Sequence, residues 1–538
     1  MDMRHLLFGI VIFTAVGCAK TLQLNLVIDD PCNQSILSDT TLQHIELTVT
    51  APDLTDPEGT IWSRQDGEGS VLGLTPVENA TVTVTGRSSN GAGDPADVIA
   101  GIGVGYVDLT GSGSDVVDLR VVFGRVDRFM NTSVVDTVSN SDVQCTSLGT
   151  ARRGHTASLL PDGRVFIAGG ESVKPSSTQY LETTEYFEPV TGLFVPGPSM
   201  MANDRTWTRE AHTATVLNDG TILIAGGIYL NGTSKDTLKV ALIYDPATAT
   251  FQVTPSPGMV SPRANHTATL LGDGRVLLAG GTSGSASSST ELASTEIYDP
   301  SSQVFCAGPS SQQPRAFHSA VRVSDNMVAL IGGRGAGQLL SSVQFVNVTG
   351  CGQGAAVTGQ ALSKARSHAV AALISGKSAI FVAGGFDAVV DNDKVENGKG
   401  INSVEVIKVN VSNPASSSLA TCNLTLVTAR GAASMVELPT GFLILGGLSA
   451  SPPNHLDWPS QAVATAETVG FVGGGDCDVK FTATAGQLTT ARAGAQATVM
   501  VGGDILVTGG FSKTVNPANG AVEEVVSLAQ GEIFVRQR

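Results

Sequence analysis

Charged and aromatic side chains are both scarce in this chain. Of its 538 residues, 15% are charged and 5% are aromatic, whereas 62 are glycines. Long surface helices need many charged side chains, while short strands joined by many turns make use of glycine. The composition therefore favours an all-β protein over a largely helical one. The length exceeds that of one ordinary core and suits a repeat array beside a smaller domain.

Clusters of lysine and arginine are also missing. The chain holds 32 basic and 48 acidic residues, so its formal net charge is −16. Binding to the phosphates of nucleic acids needs clustered basic side chains. We therefore expect no nucleic-acid partner, and we interpret the acidity as a solubility feature.

The N-terminal hydrophobic run is too short for a membrane-spanning helix. It extends over the eleven residues from Leu6 to Val16, whereas a spanning helix needs about 20. It ends at Ala15-Val16-Gly17-Cys18, which resembles the lipobox of bacterial lipoproteins. The resemblance implies a signal peptide over residues 1–17, acylation of Cys18 and sorting to the outer membrane, because no aspartate follows the cysteine. The alternative is an ordinary signal peptide beside an incidental cysteine.

Cysteines with the spacing of zinc or redox sites are absent. Besides Cys18 the chain has six cysteines, and none forms a Cys-x-x-Cys motif, so a zinc or redox site has little support. Export permits disulfides, but the 15 possible pairings stay open. Buried, unpaired thiols are the alternative. The six are Cys32, Cys145, Cys306, Cys351, Cys422 and Cys477.

Known catalytic motifs are absent as well. The sequence holds no Gly-x-Ser-x-Gly nucleophile elbow, no phosphate-binding loop and no His-Glu-x-x-His zinc motif. No cluster of acidic, nucleophilic or metal-ligating residues stands out from the rest of the sequence. We therefore expect a protein that is not an enzyme, with no catalytic residues, no metal and no cofactor.

Residues 18–141 predict a separate β domain. Alternating runs such as His44 to Thr50 (HIELTVT) and Ala80 to Thr85 (ATVTVT) are separated by turn-rich segments such as Ser88 to Asp97. About seven such strands favour a small antiparallel β-sandwich. The stretch from Arg125 to Asp142 is predicted to be a linker, and the domain to be a spacer.

A glycine pair at the end of an apolar run recurs seven times after residue 142. The second glycines of successive pairs are 52 to 63 residues apart. Each run is typical of a buried strand, and the two glycines allow backbone to approach backbone closely and to leave the strand sharply. The pairs are Gly169 and Gly170, Gly226 and Gly227, Gly280 and Gly281, Gly332 and Gly333, Gly384 and Gly385, Gly446 and Gly447, and Gly509 and Gly510.

The full repeat is clearest from Pro262 to Pro300. It reads PRANHTATLLGDGRVLLAGG, a variable insert, and STEIYDP. This order of strand, Asp-Gly turn, strand, glycine pair and third strand, with a period near 50, resembles the kelch repeat in its bacterial form. The resemblance covers about three-quarters of the chain and implies a seven-bladed kelch-type β-propeller over residues 142–538, with four strands per blade. Because the chain ends after the seventh third strand, we expect Val143 to Leu148 to close the ring.

An arginine opens every repeat, and a histidine follows it in five. The spacing is three residues except in the fifth repeat, where Arg366 lies two residues before His368. Because the histidines track the repeat, we interpret them as structural; a ring of imidazole metal ligands is the alternative. Glutamates recur in the third strands, and we expect them to pair with the arginines. The other repeat positions are Arg152, Arg209, Arg263, Arg315, Arg430 and Arg492, with His155, His212, His266 and His318, and Glu185, Glu296, Glu405, Glu467 and Glu532.

The loops after the glycine pairs vary most, and propeller geometry places all seven on one face, here called the loop face. Variable loops on a fixed scaffold are a usual place for binding. The fifth loop carries Asp391 and Asp393 in a segment similar to a calcium loop, but Val395 stands where an oxygen ligand is expected. The sixth carries His455 and Trp458. We expect these acidic, histidine and tryptophan side chains to be possible contacts with a partner.

The expected function is that of a lipid-anchored surface protein whose loop face binds a protein or glycan partner. The alternative is an enzyme that acts on a sugar or small molecule at the mouth of the propeller channel, which convergent acidic, basic and histidine side chains would favour. Copper enzymes similar to galactose oxidase belong to the same fold class, and they need a tyrosine crosslinked to a cysteine, a second tyrosine and two histidines. No dedicated set of that kind stands out among the six tyrosines.

Overall fold

In the computed structural model the described residues form strands and turns, with one short 3-10 helix, Pro414–Ser416, among them. Within the described part, no helix has the length and apolar character needed to cross a membrane. The structure describes residues 5–8, 23–29, 44–50, 58–63, 80–87, 99–107, 116–125, 128–131, 133–134 and 144–535, apart from 175–176, 190, 257, 286–287, 389, 392–393, 396–398, 450–461, 484–486 and 516–521.

Seven N-terminal strands are connected by backbone hydrogen bonds. Val116–Arg125 joins two groups of these strands: its first seven residues pair in parallel with Gln23–Asp29, and its last three pair antiparallel with Ile99–Val107. In some β-sandwiches one long strand pairs with both sheets and so connects them. Across the sheet the order is His5–Phe8, Gln23–Asp29, Val116–Arg125, Ile99–Val107, Ala80–Arg87, His44–Thr50 and Glu58–Ser63.

Seven antiparallel sheets follow, each with the strand order 1-2-3-4 of a propeller blade, so the predicted fold class is confirmed. Short Asp-Gly or similar turns join the first and second strands, and the variable loops join the second and third. The blades comprise Thr156–Leu159, Val165–Ala168, Thr184–Glu188 and Leu193–Pro196; Thr213–Val216, Ile222–Ala225, Ala241–Asp245 and Thr250–Val253; Thr267–Leu270, Val276–Ala279, Thr295–Asp299 and Val304–Ala307; Ser319–Ser324, Met327–Ile331, Val343–Gly350 and Gln353–Thr358; Val370–Leu373, Ala379–Ala383, Ser403–Lys408 and Ser418–Leu419; Ser434–Leu438, Gly441–Leu445, Ala466–Phe471 and Val479–Ala483; and Gln496–Val499, Ile505–Thr508, Gly531–Val535 and Arg128–Asn131.

The core lies in layers between neighbouring blades. In blade 1 the second strand, Val165–Ala168, is buried at all four positions. Successive residues of a strand point to opposite faces, so this strand fills two layers at once. Phe166 stacks on Tyr244 of blade 2 with 4.2 Å between ring centroids, while Ile167 packs on the other side with Leu506 of blade 7.

The glycine pairs lie where one blade touches the next. Gly280 and Gly281 both have a left-handed backbone, with φ of 62° and 96°. A Cβ atom on Gly280 would lie 2.2 Å from the backbone oxygen of Arg315 in blade 4, and one on Gly281 would lie 2.5 Å from that of Ala264. Only glycine tolerates both the conformation and the contact.

The ring is closed by an N-terminal strand, but the predicted one, Val143 to Leu148, is wrong. Arg128–Asn131 pairs with Gly531–Val535 and completes blade 7, with Met130 opposite Ile533. This strand comes from the stretch that the sequence predicted to be a linker. The predicted segment cannot take the outer edge because Leu148 is buried with Leu506 between blades 7 and 1.

Two disulfides join the outer edges of adjacent blades. Cys306 in blade 3 is bonded to Cys351 in blade 4, and Cys422 in blade 5 is bonded to Cys477 in blade 6. The side chains of Cys18, Cys32 and Cys145 lie outside the described residues. Each bridge closes a loop of about 50 residues and thereby stabilises the ring by restricting the unfolded chain.

Candidate functional site

The repeat arginines are buried inside the blades, where they hold the ends of the strands together. Arg263 has no exposed surface. Its Nη1 donates to the carbonyl oxygen of Gly280 at 2.7 Å, and its Nη2 donates to the Glu296 carboxylate at 2.6 Å. The same carboxylate accepts hydrogen bonds from the backbone N–H groups of Val260 and Ser261, at 2.6 and 2.8 Å. The arginine and the glutamate therefore have structural roles.

Five of the seven blades hold the predicted ion pair, and two lack it. Leu242 replaces the glutamate in blade 2 and Gln344 replaces it in blade 4. Arg209 of blade 2 has no hydrogen-bond partner for Nε or Nη2 among the described residues, and burial lowers its pKa to about 9. The five pairs are Arg152 with Glu185, Arg263 with Glu296, Arg366 with Glu405, Arg430 with Glu467 and Arg492 with Glu532.

Four repeat histidines join neighbouring blades. His212, His266 and His318 share a hydrogen bond with a threonine hydroxyl of the preceding blade, at 2.9 to 3.0 Å, and His155 shares one with Thr508 at 3.0 Å. Burial lowers the pKa of each imidazole far below its usual value. Neutral rings held apart by separate hydroxyls are inter-blade contacts, and this geometry does not support the alternative of a metal-binding ring.

His368 does not belong to that set, so its assignment to the repeat position is wrong. Ala369 occupies the histidine position of blade 5: a Cβ atom on Gly385 would meet the Cβ of Ala369, where one on Gly281 would meet the Cβ of His266. His368 lies one residue earlier, two after Arg366. The sequence carried a signal of this difference: His368 lies two residues after its repeat arginine, whereas the other four histidines lie three residues after theirs. Insertions after this segment of the repeat do not change that distance.

A ring of seven left-handed residues surrounds the mouth of the central channel. Each lies two residues after a repeat arginine and two residues before the first strand of its blade. The first strands of successive blades contact each other around the axis. Six backbone hydrogen bonds of 2.9 to 3.3 Å connect them from blade to blade. The ring consists of Gly154, Ala211, Asn265, Phe317, His368, Ala432 and Gly494.

Three large side chains occupy successive ring positions in blades 3 to 5. Asn265, Phe317 and His368 have φ values of 53°, 55° and 52°. A left-handed backbone costs a residue other than glycine about 1 kcal/mol or more, and the other ring positions hold only glycine or alanine. Such strain at the rim of a channel is typical of a functional site.

Two of these side chains, the half-buried Phe317 and His368, form an aromatic platform that rests on Phe386, whose ring is buried. The His368 ring stacks on Phe317, with 4.6 Å between ring centroids, and meets Phe386 edge-on at 5.6 Å. Arg334 lies over Phe317, with its guanidinium carbon 5.4 Å from the ring centroid, and pairs with Glu291 at 2.7 Å. Burial and the charge of Arg334 lower the pKa of His368 to about 4, so its ring is neutral near pH 7.

A charged cluster lies on the same rim in blades 1 and 2. Arg153 donates from Nε to Oε1 of Glu171 at 2.7 Å, and its Nη2 lies 2.5 Å from the same oxygen. Glu210 lies over the ring: a Cβ atom on Gly154 would be 3.0 Å from its Oε2. Burial, followed by the nearby Glu171 carboxylate, raises the pKa of Glu210 to about 8, against the opposing charges of Arg153 and Lys235.

The sequence analysis did not predict the aromatic platform or the charged cluster, although the positions of their residues in the repeat carried a signal. They lie one or two residues after the repeat arginine, or directly after the glycine pair. At the first of these positions the blades carry Arg153, Glu210, Ala264, Ala316, Ser367, Gly431 and Ala493. These positions vary between repeats although the arginines and glycines beside them do not. Such variable positions next to constant ones indicate the channel mouth, where the blades differ.

The variable loops stand around this mouth. Among the described residues, six of these loops form two-stranded hairpins, and neighbours touch: the backbone N–H of Val173 donates to the Ser527 hydroxyl at 3.0 Å, and that of Thr237 to the carbonyl of Gly284 at 3.2 Å. The hairpins are Glu171–Lys174 with Ser177–Tyr180, Ile228–Asn231 with Ser234–Thr237, Thr282–Ser283 with Thr290–Glu291, Arg334–Gly335 with Gln338–Leu339, Val390–Asp391 with Lys394–Val395, and Phe511–Val515 with Val522–Ser527.

The four predicted loop contacts stay predictions. Asp391 ends a hairpin strand, but its side chain is not among the described ones. Asp393, His455 and Trp458 lie outside the described residues altogether.

Solved structures with this fold include an enzyme. A fungal alcohol oxidase of the AA5 family, in complex with copper, is 13% identical to this chain, with a TM-score of 0.52 over 72% of this chain and 75% of the oxidase. YjhT is also 13% identical, with a TM-score of 0.45 over 62% of this chain and 99% of YjhT. No protein-family model matches the sequence, and no curated protein matches it significantly.

The described residues do not fit the copper ligand set of galactose-oxidase-like enzymes. All four cysteines with described side chains are in disulfides, so none can be crosslinked to a tyrosine. Tyr186 and Tyr244 are hydrogen-bonded to each other between blades 1 and 2. In the described part of the chain, no three His, Cys, Asp or Glu side chains lie close enough together to hold a metal ion.

The expectation that the chain is not an enzyme is nevertheless wrong as an inference from its fold. A solved structure with the same architecture is an oxidase, and the channel mouth carries convergent Glu, Arg and His side chains from several blades. At 13% identity the likeness establishes architecture and no activity. On its strand order, its glycine pairs and this likeness, the chain folds as a seven-bladed β-propeller, with repeats that resemble the kelch repeat.

Proposed function

We propose that this chain is an exported surface protein, lipid-anchored through Cys18, whose propeller binds a partner through the loop face. Of the two partner classes predicted from the sequence, a protein and a glycan, the channel mouth favours a glycan. The observation that carries this choice is the half-buried stack of Phe317 and His368 on the same rim as the carboxyls of Glu171 and Glu210.

The chemistry of a sugar matches both parts of that rim. A pyranose ring has an apolar C–H face that packs on flat aromatic side chains, and its hydroxyl groups donate to carboxylates and accept from arginine. Binding sites commonly combine an aromatic lining with a few polar groups. The ring is about 11 Å across between opposite backbones if hydrogen-bonded neighbours are about 5 Å apart.

Export is supported by the two disulfides. Disulfides between blades 3 and 4 and between blades 5 and 6 form and persist in oxidising compartments. If Cys18 carries the anchor, then Cys18→Ser should accumulate as an unprocessed precursor that is not labelled by a fatty-acid analogue. Normal maturation of the variant would contradict the anchor and leave the binding proposal unaffected.

Glycan binding is tested by screening the purified full-length protein in detergent against a glycan array. Phe317→Ala should weaken binding to any glycan hit by about tenfold, because it removes one ring of the platform. Phe194→Ala, which removes a half-buried ring from the outer strand of blade 1, is the matched control and should bind normally. Retained affinity in Phe317→Ala would place the glycan elsewhere.

A second candidate function is an enzyme that acts on the bound sugar at the same mouth. It is favoured by the Glu210 carboxyl, because a carboxyl whose pKa is raised toward neutrality can donate a proton to a bound sugar or accept one from it. Incubation with oligosaccharide mixtures and chromatography of the products tests it. Turnover should disappear in Glu210→Gln; turnover that persists in this variant would remove the carboxyl from the chemistry.

A further inference from the structure

The loop hairpins of blades 1 and 2 meet at two carboxyl groups. Glu171 is the first residue of the blade 1 hairpin, and its backbone exchanges hydrogen bonds of 3.0 and 2.8 Å with that of Arg153. Glu210 exchanges hydrogen bonds of 3.0 and 2.8 Å with Ile228, the first residue of the blade 2 hairpin. The side chains of Glu210 and Glu171 are hydrogen-bonded to each other. This contact therefore joins the two hairpins at their bases.

The hydrogen bond between the two carboxyl groups requires a proton. Arg153 contacts Oε1 of Glu171 twice, whereas Oε2 is buried and has no partner among the N–H groups of the described residues. A buried carboxylate oxygen without a donor is costly. A second carboxylate cannot be that donor, but a protonated carboxyl group can. The contact therefore consists of one carboxylate and one carboxylic acid.

The surrounding charges act on this proton in opposite directions. The titratable side chains that face Glu210 are Glu171 of blade 1, Arg153 of blade 1 and Lys235 of the blade 2 hairpin. Blade 7 meets this cluster with the neutral ring of Phe511, whose centroid is 5.4 Å from the guanidinium carbon of Arg153. The two cations lower the pKa of Glu210, but burial and the charge of Glu171 raise it further.

We propose that Glu171 and Glu210 share one proton and form a pH-dependent contact between the loop hairpins of blades 1 and 2, which loosens when the proton is lost. After that loss, two adjacent carboxylates repel each other at the hairpin bases, beside the channel mouth. The contact exists in the chain without any ligand, so this inference goes beyond glycan binding and does not depend on it.

The direction of the pH dependence follows from the pKa of Glu210. Burial, followed by the Glu171 charge, raises it to about 8, whereas an unfolded glutamate has a pKa of about 4.3. Between these values the folded chain holds a proton that the unfolded chain has released. The stabilisation from the contact is therefore complete in mild acid and is lost as the pH rises through about 8.

Infrared difference spectroscopy tests the shared proton. Spectra of the full-length protein in detergent at pH 6.5 and pH 9.5 should differ by the carbonyl band of one protonated carboxyl group, because ordinary carboxyl groups are ionised at both values. The band should titrate with a midpoint near pH 8. It should be absent from Glu210→Gln and present in the control Glu188→Gln, at the end of the third strand of blade 1. A parent protein without this band would overturn the proposal.

Hydrogen exchange followed by mass spectrometry tests the contact between the hairpins. From pH 6.5 to pH 9, amide exchange in the hairpins of blades 1 and 2 should rise about tenfold beyond its intrinsic pH dependence, because opening is coupled to the loss of one proton. The blade 4 hairpin, Arg334–Gly335 with Gln338–Leu339, contains no carboxyl group and should show only the intrinsic rise. In Glu210→Gln the amide can donate to Glu171 at every pH, so the additional rise should disappear.

The two measurements distinguish the possible failures. Circular dichroism reports whether each variant is folded, and Glu171→Gln replaces Glu210→Gln if the latter is not. An additional rise in exchange that is equal in the parent and in the folded variant would overturn the assignment to this carboxyl pair. An infrared band with the expected midpoint but no additional exchange would overturn the contact between the hairpins.

Discussion

At the residue scale, the buried repeat arginines occur in two electrostatic environments, one with a glutamate partner and one without. Arg263 is neutralised by Glu296, which also accepts two backbone hydrogen bonds. Arg209 lies at the same repeat position but has Leu242 opposite, and it donates only to backbone carbonyl oxygens. Removing one partner of a buried pair costs more than removing a buried charge that has no counter-ion.

We therefore expect different outcomes for the same substitution in two blades. Arg263→Met leaves the Glu296 carboxylate buried and unpaired, and should lower the free energy of unfolding by about 3–5 kcal/mol. Arg209→Met removes hydrogen bonds to carbonyl oxygens but also an unpaired buried charge, and should change it by only about 1 kcal/mol. Urea unfolding followed by tryptophan fluorescence measures both; equal losses would contradict this account.

The inter-blade histidines predict a loss of stability in acid. Burial lowers the pKa of His155 and of His318 to about 3, whereas an unfolded histidine titrates near pH 6.5. Between these values the unfolded state binds more protons, so stability is complete above about pH 6.5 and falls by about 1.4 kcal/mol per pH unit for each such histidine as the pH decreases toward 3.

His318→Gln tests this sign directly. At pH 7.5 the variant should be less stable than the parent, because the hydrogen bond to Thr267 is altered. The difference should shrink on acidification, because the parent loses the contribution of His318 and the variant has none to lose. Thermal unfolding midpoints at pH 7.5, 5.5 and 4.5 measure this, with the surface change Thr248→Ala as control. A constant difference would count against a neutral, buried His318.

At the element scale, the glycine pair is the junction between a blade and its neighbour. The second strand ends where its backbone meets the carbonyl oxygen of the next repeat arginine, and the two left-handed residues turn the chain toward the loop face. This geometry recurs in all seven blades because the contact is made by backbone atoms, which every copy of the repeat possesses. It leaves no space for a side chain.

Gly280→Ala should therefore be far more destabilising than an alanine at another left-handed glycine. Its Cβ would lie 2.2 Å from the backbone oxygen of Arg315, whereas Gly376, with φ of 71°, has nothing within 4 Å. Gly376→Ala should cost about 1 kcal/mol from conformation alone, and Gly280→Ala more than about 3 kcal/mol from conformation and overlap. Similar urea midpoints for the two variants would show that neighbouring blades can move apart at little cost in the free energy of unfolding.

At the scale of the whole molecule, closure of the ring depends on a strand far from the repeats in sequence. Arg128–Asn131 pairs with Gly531–Val535, so the last blade combines the two ends of the propeller segment. Closure removes exposed strand edges, which otherwise promote association between chains. The loop closed by this pairing spans about 400 residues, so it becomes favourable only when the blades between have formed.

Truncation at two points tests this closure. A chain that starts at Val126 keeps the closing strand, and a chain that starts at Val143 lacks it. The first should be monomeric and unfold at a temperature near that of the parent propeller. The second should have an exposed edge on Gly531–Val535, a lower unfolding temperature and a tendency to oligomerise, as measured by size-exclusion chromatography with light scattering. Identical behaviour of both would assign closure to Val143 to Leu148 after all.

The fold was predictable from the sequence because its determinants are local and repeated. Glycine pairs, Asp-Gly turns and apolar runs act within about 30 residues, and seven copies reveal the blade number and the Arg–Glu pairs without any long-range information. The closing strand escaped prediction because Arg128–Asn131 has no repeat to be compared with. The seven-membered ring at the mouth escaped because it joins residues about 50 positions apart, one from each copy.

The sequence by itself determined the propeller architecture and predicted a structural role for the repeat histidines of blades 1 to 4. Only the tertiary structure decided that His368 faces the channel mouth with Phe317, and that Glu171 and Glu210 meet across blades 1 and 2. The physical reason is that a blade is specified by contacts within one repeat, whereas the mouth is made where seven repeats converge on one axis. Residues that differ from the repeat consensus in separate copies, such as Phe317 and His368, are therefore neighbours at the mouth.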